Sequence, residues 1–299
     1  MLRLIMVPLD GSRFAESALP LALALSRKTG AALHLVTVQE PIPSFAYDEW
    51  ENAAQHWSTE YLNSAVERAS RHAGGGVSST LLAGDVAEVL EEEAQARSAE
   101  LVVMATHGRG VLSRAWLGSV ADAFLHHTRR PLLLVRPDGE GTEPELAAEI
   151  SFSKVLVPLD GTELSESVLT HAASFADLFG AKLRLMRVVP YPMQFSSPYL
   201  PHTIQMNQQF VAEAQQAGLA YLMEKAEALG GEGRQVEVAV VVVAQPGQGI
   251  LAELEDSGCD LLAMATHGRG GLTRAILGST ADKVVRGTHV PVLLYRPPD

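Results

Sequence analysis

One stretch of this 299-residue chain occurs twice. Ala105–Ser119 reads ATHGRGVLSRAWLGS and Ala265–Ser279 reads ATHGRGGLTRAILGS, identical at 12 of 15 positions. Each copy follows an apolar run, Leu101–Met104 or Leu261–Met264, and each leads through Gly-Ser into a helical pattern. A second motif, VPLDG, opens both halves at Val7–Gly11 and Val157–Gly161. A duplicated chain folds as two copies of one unit, so each half must complete a core by itself. About 150 residues is an ordinary domain length.

Within the first half, apolar runs alternate with helical patterns. Leu2–Leu9 is continuous and apolar but for Arg3, which predicts a strand buried on both faces. A helix follows from about Arg13 to Lys28, stopped by Gly30, with Pro20 imposing a kink or a late start. Ala32–Val38 predicts the second strand, ended by Pro41-Ile42-Pro43. An aromatic loop with Phe45, Tyr47 and Trp50 leads into a helix over about Glu49–His72, and Gly74-Gly75-Gly76 stops it. Val77–Leu82, Leu101–Met104 and Leu132–Val135 predict three further strands. Helices lie between them, from Asp85 to about Arg97 and from Ser119 to about His127. Ser119 reads as an N-cap, with Asp122 completing a capping box.

Strands alternating with helices imply right-handed βαβ crossovers and a parallel sheet. The fold class predicted is α/β, two repeated doubly wound domains of five parallel strands. The domains span 1–137 and 151–299, with the acidic segment 138–150 as linker. The VPLDG copies and the second strands (Val38, Val188) lie 150 residues apart, the glycine stretches 160. The second half therefore carries ten extra residues between its second and fourth strands. They are placed in the Pro- and aromatic-rich segment Pro190–Gln208, which predicts that the two crevices are covered differently.

The formal charge of −12 repels polyanions, which argues against nucleic acid and anionic membrane as partners. One cysteine, Cys259, excludes an internal disulfide and fits a reducing compartment. No apolar run approaches the ~18 residues of a membrane span, and the start lacks a leader-like core. A soluble, cytoplasmic protein is expected.

In open parallel sheets, ligands bind at the carboxyl ends of strands where the strand order reverses. The Asp10 loop and the glycine stretch both lie at such ends. Gly108 and Gly118 let backbone approach an anion closely, and Ser119 begins a helix whose dipole favours it. His107 and Arg109 offer a donor and a charge. Asp10 and Asp160 suit a sugar hydroxyl or an adenine amino group. The alternative is a tight turn at Gly108 and Gly110, with Asp10 a turn residue and Ser119 only a cap. Duplication favours the phosphate reading. There is no P-loop, no G-x-G-x-x-G after the first strand, no zinc spacing and no nucleophile elbow. No general base for water is evident, so binding without fast turnover is expected.

Both halves resemble the universal stress protein domain, and the chain resembles its tandem form. The resemblance covers Leu2–Pro137 and Ser153–Pro297. It rests on VPLDGS and VPLDGT, the THGRG loops, the LGS helix starts and the closing PLLLVRP and PVLLYRP strands. It implies strand order 3-2-1-4-5 and bound ATP, with or without Mg²⁺. By position, Pro8, Leu9, Asp10 and Val38 would line the adenine and ribose side. Met104, Ala105, His107, Gly108, Arg109, Gly118, Ser119 and Val120 would line the phosphate side. The second-half matches are Pro158, Leu159, Asp160, Val188, Met264, Ala265, His267, Gly268, Arg269, Gly278, Ser279 and Thr280. The family pattern G-x2-G-x9-G-[ST] has Ala105 and Ala265 at its first glycine here. Family fifth strands pair antiparallel, so Leu132–Val135 and Val292–Tyr295 are expected to meet as an intramolecular pseudo-dimer, with a homodimer the other arrangement. The implied function is a nucleotide-dependent stress regulator read by a partner protein. A nucleotide-independent interaction module and a slow ATPase are the alternatives.

Overall fold

Short apolar runs punctuated by Gly, Pro and Asp set the element boundaries. The computed structural model describes residues 2–39, 48–106, 118–137, 143–190, 203–231, 233–266 and 277–297. The first repeat runs β1 (Leu4–Pro8), α1 (Arg13–Glu16), α2 (Leu19–Thr29), β2 (Ala32–Gln39), α3 (Asp48–Ser70), β3 (Val77–Ala83), α4 (Val86–Ala96), β4 (Leu101–Ala105), α5 (Ser119–His127) and β5 (Leu132–Val135). The second runs β6 (Lys154–Pro158), α6 (Glu163–Glu166), α7 (Leu169–Phe179), β7 (Lys182–Pro190), α8 (Thr203–Gly230), β8 (Val236–Val243), α9 (Pro246–Ser257), β9 (Leu261–Ala265), α10 (Ser279–Gly287) and β10 (Val292–Tyr295).

The chain divides into two compact units, Met1–Ser151 with His289–Asp299, and Phe152–Thr288. In the first unit the five strands of the first repeat lie in the order β3-β2-β1-β4-β5, parallel to one another. In the second the order is β8-β7-β6-β9, again parallel. Order reverses beside β1 and beside β6, so each unit has its switch point where β1 meets β4 or β6 meets β9. Right-handed crossovers then put α2 and α3 over one face and α4 and α5 over the other, and α4 and α5 do pack together. Strands β1 and β4 are covered on both faces: Ile5, Met6, Val7, Val102 and Val103 are all buried.

Strand β10 comes from the second repeat but belongs to the first unit. It pairs antiparallel with β5, Leu133 opposite Leu293, as the family resemblance implied. Arg296 donates to the His126 carbonyl at 2.8 Å and Arg129 to the Pro297 carbonyl at 3.3 Å, tying the strand down at its end.

The proline inside the first helical pattern splits it. α1 ends at Glu16, and α2 starts after Ala18 with Pro20 in its first turn, where a missing N–H is tolerated. Gly30 closes α2 in the left-handed conformation. The extra residues of the second half are only partly in the predicted loop. α3 and α8 open at Asp48 and Thr203, 155 apart, and close at Ser70 and Gly230, 160 apart, so half the excess lengthens α8. Phe45 and Tyr47 lie outside the described residues, as does the segment 191–202.

Candidate functional site

The turn after the first strand is built alike in both units. Leu9 continues from β1 and its N–H donates to the Val36 carbonyl at 2.8 Å; Leu159 does the same to Met186 at 2.7 Å. Asp10 Oδ1 then accepts from the Ser12 N–H at 2.8 Å, and Ser12 caps α1 by accepting from the Ala15 N–H at 3.1 Å. In the second unit Asp160 Oδ1 accepts from both the N–H and the hydroxyl of Thr162, at 3.0 and 2.6 Å. Gly11 and Gly161 have φ of +82° and +83°, left-handed values that favour glycine over any side chain. The turn role weighed for these aspartates is therefore present, in the loop that also faces the switch point.

Across the reversal stand the ends of the fourth strands. Met104, Ala105 and Thr106 are buried, as are Met264, Ala265 and Thr266. The Gly118 N–H returns to the Thr106 carbonyl at 2.6 Å, and Gly278 to Thr266 at 2.9 Å, which brings the start of the following helix back to the strand end. Residues 107–117 and 267–276 lie outside the described residues, so His107, Gly108, Arg109, His267, Gly268 and Arg269 have no placement here. Val38 and Val188 sit near the ends of β2 and β7, partly exposed.

One expectation is corrected. Ser119 is not the N-cap of α5; Gly118 is, with extended backbone and no capping side chain, and Gly278 takes the same place before α10. The Gly118 carbonyl already accepts from the Asp122 N–H at 2.9 Å, so Ser119 is the first helical residue and no capping box forms. Both helices thus begin with first-turn N–H groups that no capping side chain takes. Ser119 and Ser279 are exposed, with Val120 and Thr280 partly so.

A polar cluster beside each Asp turn was missed from the sequence. In the first unit Glu16, at the end of α1, is buried and accepts two hydrogen bonds from Arg68 of α3, at 3.1 and 2.6 Å. The Tyr61 hydroxyl is buried near it but finds no partner in hydrogen-bonding geometry among the described residues. Burial, with the negative charges of Glu16 and Asp10 nearby, pushes Tyr61 well above the usual phenol range. In the second unit Tyr221 donates to Glu166 at 2.7 Å, and Lys225 pairs with the same carboxylate at 2.8 Å. Burial would raise the Glu166 carboxyl, but the hydrogen bonds from Lys225 and Tyr221 outweigh it and hold it below the usual range. The signal was in the offsets: Glu16 and Glu166 are 150 apart, Tyr61 and Tyr221 160 apart.

A tandem chain of parallel α/β sheets, with an Asp-Gly turn and an uncapped helix start flanking each switch point, falls in the doubly wound α/β class. Comparison identifies the family. The model of the universal stress protein family matches residues 1–136 and 151–296. The chain belongs to the universal stress protein family, in tandem form. A universal stress protein of Mycolicibacterium smegmatis is 31% identical over 204 residues, 67% of this chain and 63% of that one. The chain thus spans under two thirds of that relative. Universal stress protein Rv2319c of Mycobacterium tuberculosis aligns over 94% of this chain and 96% of its own length, at 27% identity. The crystal structure of a universal stress protein from Archaeoglobus fulgidus superposes with a TM-score of 0.73, covering 99% of this chain and 97% of that one at 20% identity, a likeness of fold. No described helix is long and apolar enough to cross a membrane.

Proposed function

We propose that each repeat binds an adenine nucleotide at the carboxyl ends of its first and fourth strands, and that the chain is a nucleotide-dependent regulator rather than a fast enzyme. One observation carries this reading: α5 and α10 both start at a glycine, with no side-chain cap, directly against the end of the strand that precedes the duplicated glycine stretch. Backbone N–H groups left open at a helix start, on the positive end of its dipole, suit a phosphate. In this reading Gly118, Ser119 and Val120, with Gly278, Ser279 and Thr280, take the phosphates together with the His-Gly-Arg loops. Asp10 and Asp160 face the sugar, and Val38 and Val188 the base. A protein partner, in the cytoplasm, would read the nucleotide-bound state.

Calorimetry with ATP, with and without Mg²⁺, tests this. Two equivalents of heat are expected, and Gly108→Val and Gly268→Val should each weaken one site at least tenfold. An absence of heat and of thermal shift at millimolar ATP would leave an interaction module whose crevices hold no nucleotide. Phosphate release that disappears in the double variant would turn the reading towards a slow ATPase.

A further inference from the structure

Tyr61 and Tyr221 occupy matching places on α3 and α8, but their rings meet different neighbours. Trp57 stacks on Tyr61, centroids 5.7 Å apart and planes within 8°. Over Tyr221 lies Arg187, its Cζ 4.9 Å from the ring centroid. Lys225 also approaches that ring, at 5.6 Å, but its ammonium is engaged by Glu166. The Arg187 guanidinium makes no ion pair among the described residues. It rests on the Asp160–Gly161 turn instead: a Cβ on Gly161 would come 2.9 Å from Arg187 Nη1. Gly161 therefore serves twice, by adopting φ of +83° and by leaving room for this cation.

The first unit has no cation at the matching position. Thr37 stands there, buried, with a hydroxyl that finds no partner among the described residues. One crevice is thus edged by a guanidinium and the other by a neutral hydroxyl.

Position decides what such a cation can bind. Arg187 is on β7, and β7 and β9 flank β6 on opposite sides. Strands are ~4.8 Å apart, so β7 stands roughly 10 Å from the strand that leads into the glycine stretch. An anion held by Arg187 is accordingly not the polyphosphate. It belongs to the other end of the nucleotide, beside the Asp160 turn, where the sugar is placed. In dinucleotide folds an acid takes a free ribose hydroxyl, and a nearby arginine accommodates a ribose phosphate. A guanidinium donates two parallel bonds to phosphate oxygens, and stacking on a tyrosine face orients it for that.

We propose that Arg187 sets the ligand preference of the second crevice, selecting a nucleotide with a phosphate on the ribose 2′ or 3′ oxygen, while the first crevice, with Thr37, takes a ribose with free hydroxyls. This rests on the nucleotide reading above and adds to it a difference between the two sites.

The test titrates the full chain with AMP, adenosine 2′,5′-bisphosphate and adenosine 3′,5′-bisphosphate. One of the two sites should bind one bisphosphate at least tenfold more tightly than AMP, and which isomer does so fixes the phosphate position. Arg187→Thr should bring that ratio to about one, with the other site unaltered. Arg187→Gln, which keeps a planar donor and loses the charge, should do the same if the threonine variant folds poorly. Equal affinity for AMP and both bisphosphates at both sites would overturn the proposal while leaving nucleotide binding intact. So would a preference that survives both substitutions. No binding of AMP or ATP at either site would instead remove the nucleotide reading itself.

Discussion

The two units keep one geometry and fill it with different chemistry. At matching positions on β2 and β7, His34 and Arg184 each reach a glutamate on the other face of the sheet, on α4 and α9 respectively. His34 Nε2 lies 2.8 Å from Glu93, and Arg184 Nε 2.6 Å from Glu253. At the Asp turns, Glu16 and Glu166 sit alike beside a tyrosine, yet their cations come from different turns of the long helix, Arg68 in one case and Lys225 in the other. What the duplication retained is where carboxylates stand. How each is neutralised was free to change, because any donor within reach of a carboxylate satisfies it. Glu16 is the more demanding of the pair, its side chain 7% exposed against 23% for Glu166.

The largest expected consequence of that difference is in stability. Removing the partner of a buried carboxylate leaves an uncompensated charge, so Arg68→Ala should destabilise the first unit by about 3 kcal/mol. Lys225→Ala should cost the second unit about 1 kcal/mol, because Glu166 is wetter and keeps Tyr221 as donor. Chemical denaturation of each variant checks this, and equal losses would break the contrast.

A smaller difference is expected where the long helices end. A Cβ on Gly74 would lie 2.3 Å from the Ser26 carbonyl oxygen, whereas one on Gly231 meets nothing within 4 Å. Gly74→Ala should cost roughly 1–3 kcal/mol through forced backbone movement, and Gly231→Ala should stay within about 0.5 kcal/mol. Thermal melts of the two variants would separate them.

The smallest effect depends on pH. Burial pushes His34 below its ordinary value, and the hydrogen bond to Glu93 offsets this only in part. Glu93, which burial would raise, is held below the carboxylate range by hydrogen bonds from His34 and Arg97. A histidine that is neutral when folded and protonated when unfolded gives stability present above its unfolded value, about 6.5, and lost as pH falls below it. Arg184 contributes no such loss, although half-buried His171, likewise lowered by partial desolvation, gives the second unit one of its own. His34→Gln should therefore flatten the decline of the first unit's unfolding midpoint between pH 7.5 and 5.5 and leave the second unit's decline in place. An unchanged decline in the first unit would show that His34 is protonated when folded.

The fold was legible because its signals are local. Unbroken apolar runs such as Leu101–Met104 mark strands covered on both faces, and Pro20 and Gly30 mark where a helix can begin and stop. The helix starts were read less well. Gly-Ser suggested a serine cap, but the bond from Gly118 N–H to Thr106 draws the glycine into the cap position, and that bond depends on tertiary contact. The Glu16–Tyr61–Arg68 cluster joins α1 to α3 across 52 residues. No periodicity within one element reveals such a contact, although the 150 and 160 offsets shared by its glutamate and tyrosine pointed to it. Arg187 escaped notice because it has no counterpart: Thr37 occupies its place in the first half.

Since β10 is laid on β5, the first unit receives its outermost strand from residues made more than 150 positions after β5. During synthesis the first repeat therefore emerges with Leu132–Val135 as an unpaired rim, its backbone donors and acceptors open to any extended segment nearby. Between those two moments the nascent chain is a candidate for strand exchange with another copy of itself, and the arrival of Val292–Tyr295 closes that interval.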